Sequence, residues 1–442
     1  MKDWLWMSMS ELGAGIDAGE IDPLALTETY LGAIKAHELR DRIFARLTES
    51  RALAEAEAAS KRAKAGLRRG ALDGVPISWK DLFDTKGVAT EAGSALLEGR
   101  TPTEDAVVLK NATQAGMICL GKTHMTELAF SGLGLNPVTA SPPCVNDANA
   151  VSGGSSSGAA TSVAFGLAAC GIGSDTGGSV RIPSAWNDLV GLKTTAGRLS
   201  LKGVVPLCAR FDTIGPLGRS VEDAALMLAA LEGGKAADLR GSTAQGLRIG
   251  ALQTTALEDV RDAPLKAYEA ALEQLTEAGA IIEKFDAPEV QEAMNQSGPV
   301  YTCEAYGTWE DVIEAAPEKM FREVLERFRA GATFSGPEYV RAWHVLDRCR
   351  EIWAARTAKY DAVILPSAPN LPPSMERLTT DRAYFVSENL LTLRNTRIGN
   401  VLGLSAITLP TGTPSCGIIL MGQPFGEEAL LRVASGCEAV LS

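Results

Sequence analysis

Histidine is scarce in this chain, with three in 442 residues: His37, His124 and His344. A Ser-His-Asp triad or a multi-histidine metal site would have to draw on those three. His37 lies in a polar helical stretch and His344 in the helix-like run 339–353, so His124 alone stands near other chemistry-bearing residues. Paired cysteines are missing too. The eight cysteines, at 119, 144, 170, 208, 303, 349, 416 and 437, spell no Cys-x-x-Cys and lie mostly among apolar or small residues. They read as buried thiols of a reducing compartment, not as a disulfide frame or a zinc site. Positive charge is in deficit: the net charge of −12 argues against nucleic acid or an anionic membrane as a partner. The one basic cluster, Lys61-Arg62-Ala63-Lys64 with Arg68-Arg69, sits in an Ala-rich stretch and reads as a solvated helix face. The opening residues Met1-Lys2-Asp3-Trp4-Leu5-Trp6 hold no long apolar run, so neither a signal peptide nor a membrane span is expected, and cytoplasm is the expected location.

Hydrophobic residues make up 46% and charged residues 22%, ordinary for a large soluble core. Asp22-Pro23 caps a helix whose apolar residues fall at 24, 26, 30, 31 and 34. A helix is expected over 48–67, a short strand over 77–80, a helix over 105–115 and a strand over 117–120. The segment 131–158 is dense in Gly, Ser, Pro and Asn and reads as a long functional loop. A small-residue helix follows over 158–167, then a second Gly-rich loop over 171–179. Beyond a helix that starts at Ser220 and stops at Gly233-Gly234, strands are expected at 247–252, 280–285, 362–365, 406–409 and 418–421. Helices are expected at 262–278 and 427–441, with 288–360 mostly helical. Strands alternating with helices imply an α/β fold with a large mixed sheet. No composition break divides it, so residues 1–442 are expected to form one domain.

Three constellations carry chemistry. In Gly153-Gly154-Ser155-Ser156-Ser157-Gly158, glycines let a ligand approach the main chain; the bland alternative is that the serines cap a helix. In Gly173-Ser174-Asp175-Thr176-Gly177-Gly178-Ser179-Val180-Arg181, a serine after two glycines sits on a backbone able to aim several N–H groups at one point, as an oxyanion hole requires. Asp175 and Arg181 are an opposite-charge pair that could pin the loop. A phosphate cradle is disfavoured, because the run has neither a P-loop ending nor a Gly-x-Gly-x-x-Gly spelling. Third, Lys80 stands in Val75-Pro76-Ile77-Ser78-Trp79-Lys80-Asp81-Leu82-Phe83. Desolvation among these neighbours would lower its pKa and suit it to act as a base; the bland alternative is a surface Lys80–Asp81 feature. Together the three fit a serine nucleophile activated without histidine.

With these residues in order, the chain resembles the amidase signature family. The match is dense over about 72–231, from Gly74-Val75-Pro76 and Lys80-Asp81 through Gly121-Lys122-Thr123 to Gly191-Leu192-Lys193 and Phe211-Asp212-Thr213-Ile214-Gly215-Pro216. It is sparser at Tyr360-Asp361-Ala362 and at Gly403-Leu404-Ser405-Ala406-Ile407-Thr408-Leu409-Pro410. The resemblance implies a single α/β/α domain around a mixed sheet of about eleven strands, with 288–360 as a helical insertion on the substrate side. It implies Ser179 as nucleophile, Ser155 as a bridging serine in a cis peptide, Lys80 as base, and the N–H groups of Thr176, Gly177, Gly178 and Ser179 as the oxyanion hole. Neither a metal nor another cofactor is implied.

The spelling departs from the family in places. His124 stands where Asn is usual, and is either a pocket residue or a hydrogen-bonded filler. Trp186-Asn187-Asp188 replaces a smaller run, and Thr194-Thr195 a Pro-Thr pair. The substrate pocket is expected to draw on His124, Met125, Ser131, Trp186, Arg394 and Arg397. A pocket arginine would favour a carboxylate-bearing amide. The expected partner is a small amide, with a homodimer the assembly allowed for. Rival readings are the amide-cleaving component of a glutamyl-tRNA amidotransferase, a non-catalytic binding protein that keeps the fold, and a nucleotide-binding protein.

Overall fold

The computed structural model describes residues 2–441 and builds its core on a sheet of eleven strands. These are Phe44–Leu47 (β1), Pro76–Lys80 (β2), Ile118–Thr123 (β3), Cys170–Asp175 (β4), Val190–Lys193 (β5) and Thr213–Gly218 (β6). The second half adds Arg248–Leu252 (β7), Ile281–Phe285 (β8), Ala362–Pro366 (β9), Ser405–Pro410 (β10) and Gly417–Gly422 (β11). Their spatial order is β1-β3-β2-β4-β6-β5-β10-β11-β9-β7-β8. The sheet is mixed: β3, β2 and β4 run parallel, as do β9, β7 and β8, and the other neighbours are antiparallel. Helices pack on this sheet, among them Pro23–Ala36 against β2 and β3, Ser157–Ala164 against β4 and β2, and Glu427–Leu441 against β10 and β11.

Several elements follow from local chemistry. Asp22 Oδ1 accepts from the N–H groups of Leu24 and Ala25, capping the helix that starts at Pro23. Ser220 caps Val221–Glu232, which ends at Gly233 in the left-handed conformation. In the basic cluster at 61–69, Arg62 turns inward to the buried Asp73, while Lys64 pairs with Asp22 at the surface.

The Gly-rich stretch 171–179 is a loop only in its second half. Residues Cys170–Asp175 form β4, buried along its whole length. A Cβ on Gly171 would lie 2.4 Å from the Ala159 carbonyl oxygen, and one on Gly173 2.6 Å from Ser156 Oγ. These glycines let the small-residue helix press onto the strand, and a scan for apolar alternation misses them. The long segment 131–158 holds a two-stranded ribbon, Pro143–Cys144 with Asp147–Val151. Asn136 tethers it by donating to the carbonyls of Gly93 and Met125.

The helices Pro288–Met294, Ser297–Ala315, Arg322–Arg329 and Gly336–Thr357 follow β8, and Arg382–Val401 follows β9. Lys80 and Asp175 end the parallel strands β2 and β4 on the same edge, where open α/β sheets place their sites. All eight cysteines are free. Among the described residues no helix is long and apolar enough to cross a membrane.

Candidate active site

Strand β2 is buried on both faces, so Lys80 and Asp81 part company. Asp81 pairs with Arg46 at 2.8 Å and with Lys122 at 3.2 Å. Lys80 is fully buried and touches no carboxylate among the described residues; its Nζ donates to Ser155 Oγ and to Ser174 Oγ, each at 2.8 Å. Burial lowers its pKa to about 7, against the longer-range pull of Asp175 and Asp212. The surface alternative for Lys80 is therefore not what the fold builds.

The serine-rich loop is not a helix cap either. Ser156 stands at the N-cap of Ser157–Ala164 and makes no capping bond with its side chain. Its hydroxyl donates to the Ser174 carbonyl at 3.2 Å and accepts from the Ser174 N–H at 3.3 Å. The Gly154–Ser155 peptide is cis. The Ser156 N–H donates to the Ser179 carbonyl at 3.3 Å, which stitches the two loops together beside Ser155.

The loop 176–180 is held from beneath. Asp175 and Arg181 are both fully buried and pair through two bonds, of 2.9 and 3.0 Å. Arg181 reaches on to the Thr396 carbonyl (2.7 Å) and Asn400 Oδ1 (2.5 Å), while Asn400 Nδ2 donates to Asp175. Burial alone would raise the Asp175 carboxyl; Arg181 overrides it and holds the group well below the usual carboxylate range. Of the four expected oxyanion donors, the Gly178 N–H is turned away and donates to Asp175 Oδ1 at 2.8 Å. The N–H groups of Thr176, Gly177 and Ser179 have no acceptor among the described residues, and neither has the Ser179 hydroxyl. Gly178 has φ +138°, and a Cβ there would come within 2.1 Å of Thr396 Oγ1.

Asp212 and Tyr301, to which the sequence assigns no role, complete the loop. Thr176 Oγ1 donates to Asp212 Oδ1 at 2.5 Å, and Tyr301 donates to the Thr176 carbonyl at 3.0 Å. Tyr301 stacks on Phe211, which stacks on Trp343. Asp212 lies inside a family motif; nothing in the sequence around Tyr301 marks it.

Ser179 opens on a small cavity of about 30 Å³, lined also by Ser131, Thr176, Gly177, Tyr301, Arg327 and Arg397 among others. Of the six residues expected in the substrate pocket, Ser131 and Arg397 line this cavity. The other four are engaged elsewhere. His124 bonds through its backbone to Ile43 and Gly158, and burial lowers its pKa. Met125 is buried in the main core, its carbonyl holding Asn136. Trp186 is buried and donates to the Asn370 carbonyl. Arg394 turns towards the Ala256 carbonyl, near Glu258 and Asp259. Arg327 was not foreseen. Among the described residues no group of three or more His, Cys, Asp or Glu side chains is placed to hold a metal ion.

Known proteins resemble this arrangement along its whole length. The chain is 33% identical to the 2-amino-5-chloromuconic acid deaminase of Comamonas testosteroni, over 98% of this chain and 96% of that one. It is 32% identical to the A-type component of the glutamyl-tRNA(Gln) amidotransferase of Anaeromyxobacter dehalogenans, over 100% and 97%. The structure of the peptide amidase from Stenotrophomonas maltophilia superposes with a TM-score of 0.82 at 28% identity, over 98% and 97% of the two chains. The amidase family model matches residues 25–431. The chain belongs to the amidase family and is an enzyme acting on carbon–nitrogen bonds.

Proposed function

We propose that the protein hydrolyses a linear carboxamide through an acyl-enzyme on Ser179. The observation that carries this reading is Lys80: a buried amine with no carboxylate contact, bonded to Ser155 and Ser174, with a pKa of about 7. A neutral amine has two N–H bonds and one lone pair. With Ser174 taking one N–H, the lone pair is free to accept the Ser155 proton. Lys80 then draws a proton through Ser155 from the Ser179 hydroxyl, and Ser179 Oγ attacks the amide carbon. The oxyanion is met by free N–H groups of Thr176, Gly177 and Ser179, with Gly178 bracing the loop instead. As the C–N bond breaks, the proton returns through Ser155 to the leaving nitrogen. Water attacks the ester carbon by the same base and releases the carboxylate.

The test is a panel of simple amides with the purified chain alone, together with mass spectrometry of the chain after a fluorophosphonate probe. Turnover and a label on Ser179 are expected, and Ser179→Ala should end both. Absence of label and turnover in the wild type would sink the reading. The amidotransferase relatives support a second reading, in which ammonia from glutamine is passed to a partner. Turnover of simple amides without a partner decides for the hydrolase.

A further inference from the structure

Two arginines look into the Ser179 cavity, and neither has an acidic partner among the described residues. Arg327, on the Arg322–Arg329 helix, lies over the Phe130 ring at 4.5 Å and donates to the Phe130 carbonyl at 3.1 Å. The Arg397 guanidinium, on the Arg382–Val401 helix, makes no hydrogen bond or ion pair among the described residues. The neighbouring arginines on the same helices are engaged outside the cavity: Arg322 with Glu326, Arg329 with Glu314, Arg382 with Glu326, and Arg394 by Ala256. The titratable group facing the pair is the Tyr301 phenol, whose pKa burial raises and whose proton is given to Thr176. Burial, and then the second guanidinium, push Arg327 down to about 9, and burial lowers Arg397 as well.

Guanidinium groups stay charged at neutral pH. Two of them face one half-open cavity that has no carboxylate in its lining, and that arrangement suits a site that awaits an anion. Their planar forks match a carboxylate. Ala129, Leu207 and Leu393 supply apolar wall between the polar groups. The cavity is small, about 30 Å³, so the chain between the amide and the carboxylate must be short.

We infer that Arg327 and Arg397 form the subsite for a substrate carboxylate, so that the enzyme acts on short amides bearing one, of the class of dicarboxylic acid monoamides. This rests on the amide-hydrolysis reading above. The test compares succinamate with its neutral isostere, 4-methylpentanamide. Succinamate should be favoured in kcat/KM by about a hundredfold. Arg327→Gln and Arg397→Gln should each lower kcat/KM for succinamate by about tenfold to a hundredfold, chiefly through KM, with the isostere changed less than about threefold. Arg397→Gln should melt no lower than wild type, since it removes an unpaired cation; a marked drop in Tm would mean a structural role and overturn the inference. Calorimetric titration of Ser179→Ala with succinamate gives a readout free of turnover, and adding Arg397→Gln should remove that binding. Turnover of 4-methylpentanamide without preference for succinamate overturns the subsite and leaves the hydrolase. Succinamate binding to Ser179→Ala with no turnover of any amide by the wild type overturns the hydrolase and leaves the subsite. No succinamate binding and no preference overturns the subsite whatever the turnover.

Discussion

Arg181 and Arg397 lie on helices that touch, and they meet opposite fates. Arg181 is sealed from solvent and satisfied by Asp175, the Thr396 carbonyl and Asn400. Arg397 is the very next residue after Thr396, faces the cavity, and has no partner among the described residues. The contrast bears on the proposed subsite: the saturated buried cation holds a loop in place, and the unsaturated one is the proposed contact for an anion. Lys80 falls between them, bonded to two hydroxyls and to no charged group among the described residues, as its proposed role of proton acceptor requires.

The sharpest way to break that division is at Lys80. Lys80→Ala should lower kcat by about 10²–10⁴-fold, the range for removing a positioned base, with circular dichroism unchanged; near-wild-type turnover would end its role. Next comes Arg181→Met. It strands a buried Asp175 and should cost about 3–5 kcal/mol in denaturant unfolding, where Arg397→Met should cost little or nothing. Equal losses at the two positions would erase the comparison.

A third expectation concerns pH. With Lys80 at about 7, kcat/KM should fall tenfold per pH unit below 7 and level off above it, since the proposed mechanism runs on the neutral amine. The unfolded chain, with Lys80 near 10.5, binds more protons than the folded one between pH 7 and 10.5, so stability should rise with pH across that window. Lys193, also lowered to about 7 by burial, adds to the same slope. Lys80→Met should thus flatten part of the stability slope. The smallest effect is expected at Glu127, whose pKa burial raises to about 7 and whose oxygens hold Ser94 and the Phe321 N–H. Its contribution is fully present below pH 4.5 and is lost as pH rises through about 7. Ser94→Ala should cost about 1 kcal/mol in unfolding at pH 6.

Lys80, Ser155, Ser179 and the Asp175–Arg181 pair were legible in the sequence because each sits in a short stretch whose composition is odd for its surroundings. The α/β class was legible from the alternation of apolar runs. Strand β4 was hidden because its glycines serve helix contact, so Ile172 is the one branched residue left to announce a strand. Arg327 was hidden for a different reason. It is one of three arginines on a short helix, and packing alone tells it from Arg322 and Arg329, which pair at the surface. Arg394 and Arg397 are three apart on one helix, yet one leans to Ala256 and the other to the cavity. No periodicity separates two such neighbours; the elements packed on either side do.

The bond from Arg181 to the Thr396 carbonyl has a consequence for selectivity by size. Asp175 fixes the loop that carries Ser179, and through Arg181 it also fixes the helical turn that carries Arg397. The Ser179 hydroxyl and Arg397 are thus mounted on one bracket. Such a mounting works as a calliper: the enzyme would gauge the number of carbons between an amide and a carboxylate, and shifting that helix by a single turn would set the jaws for a different acid.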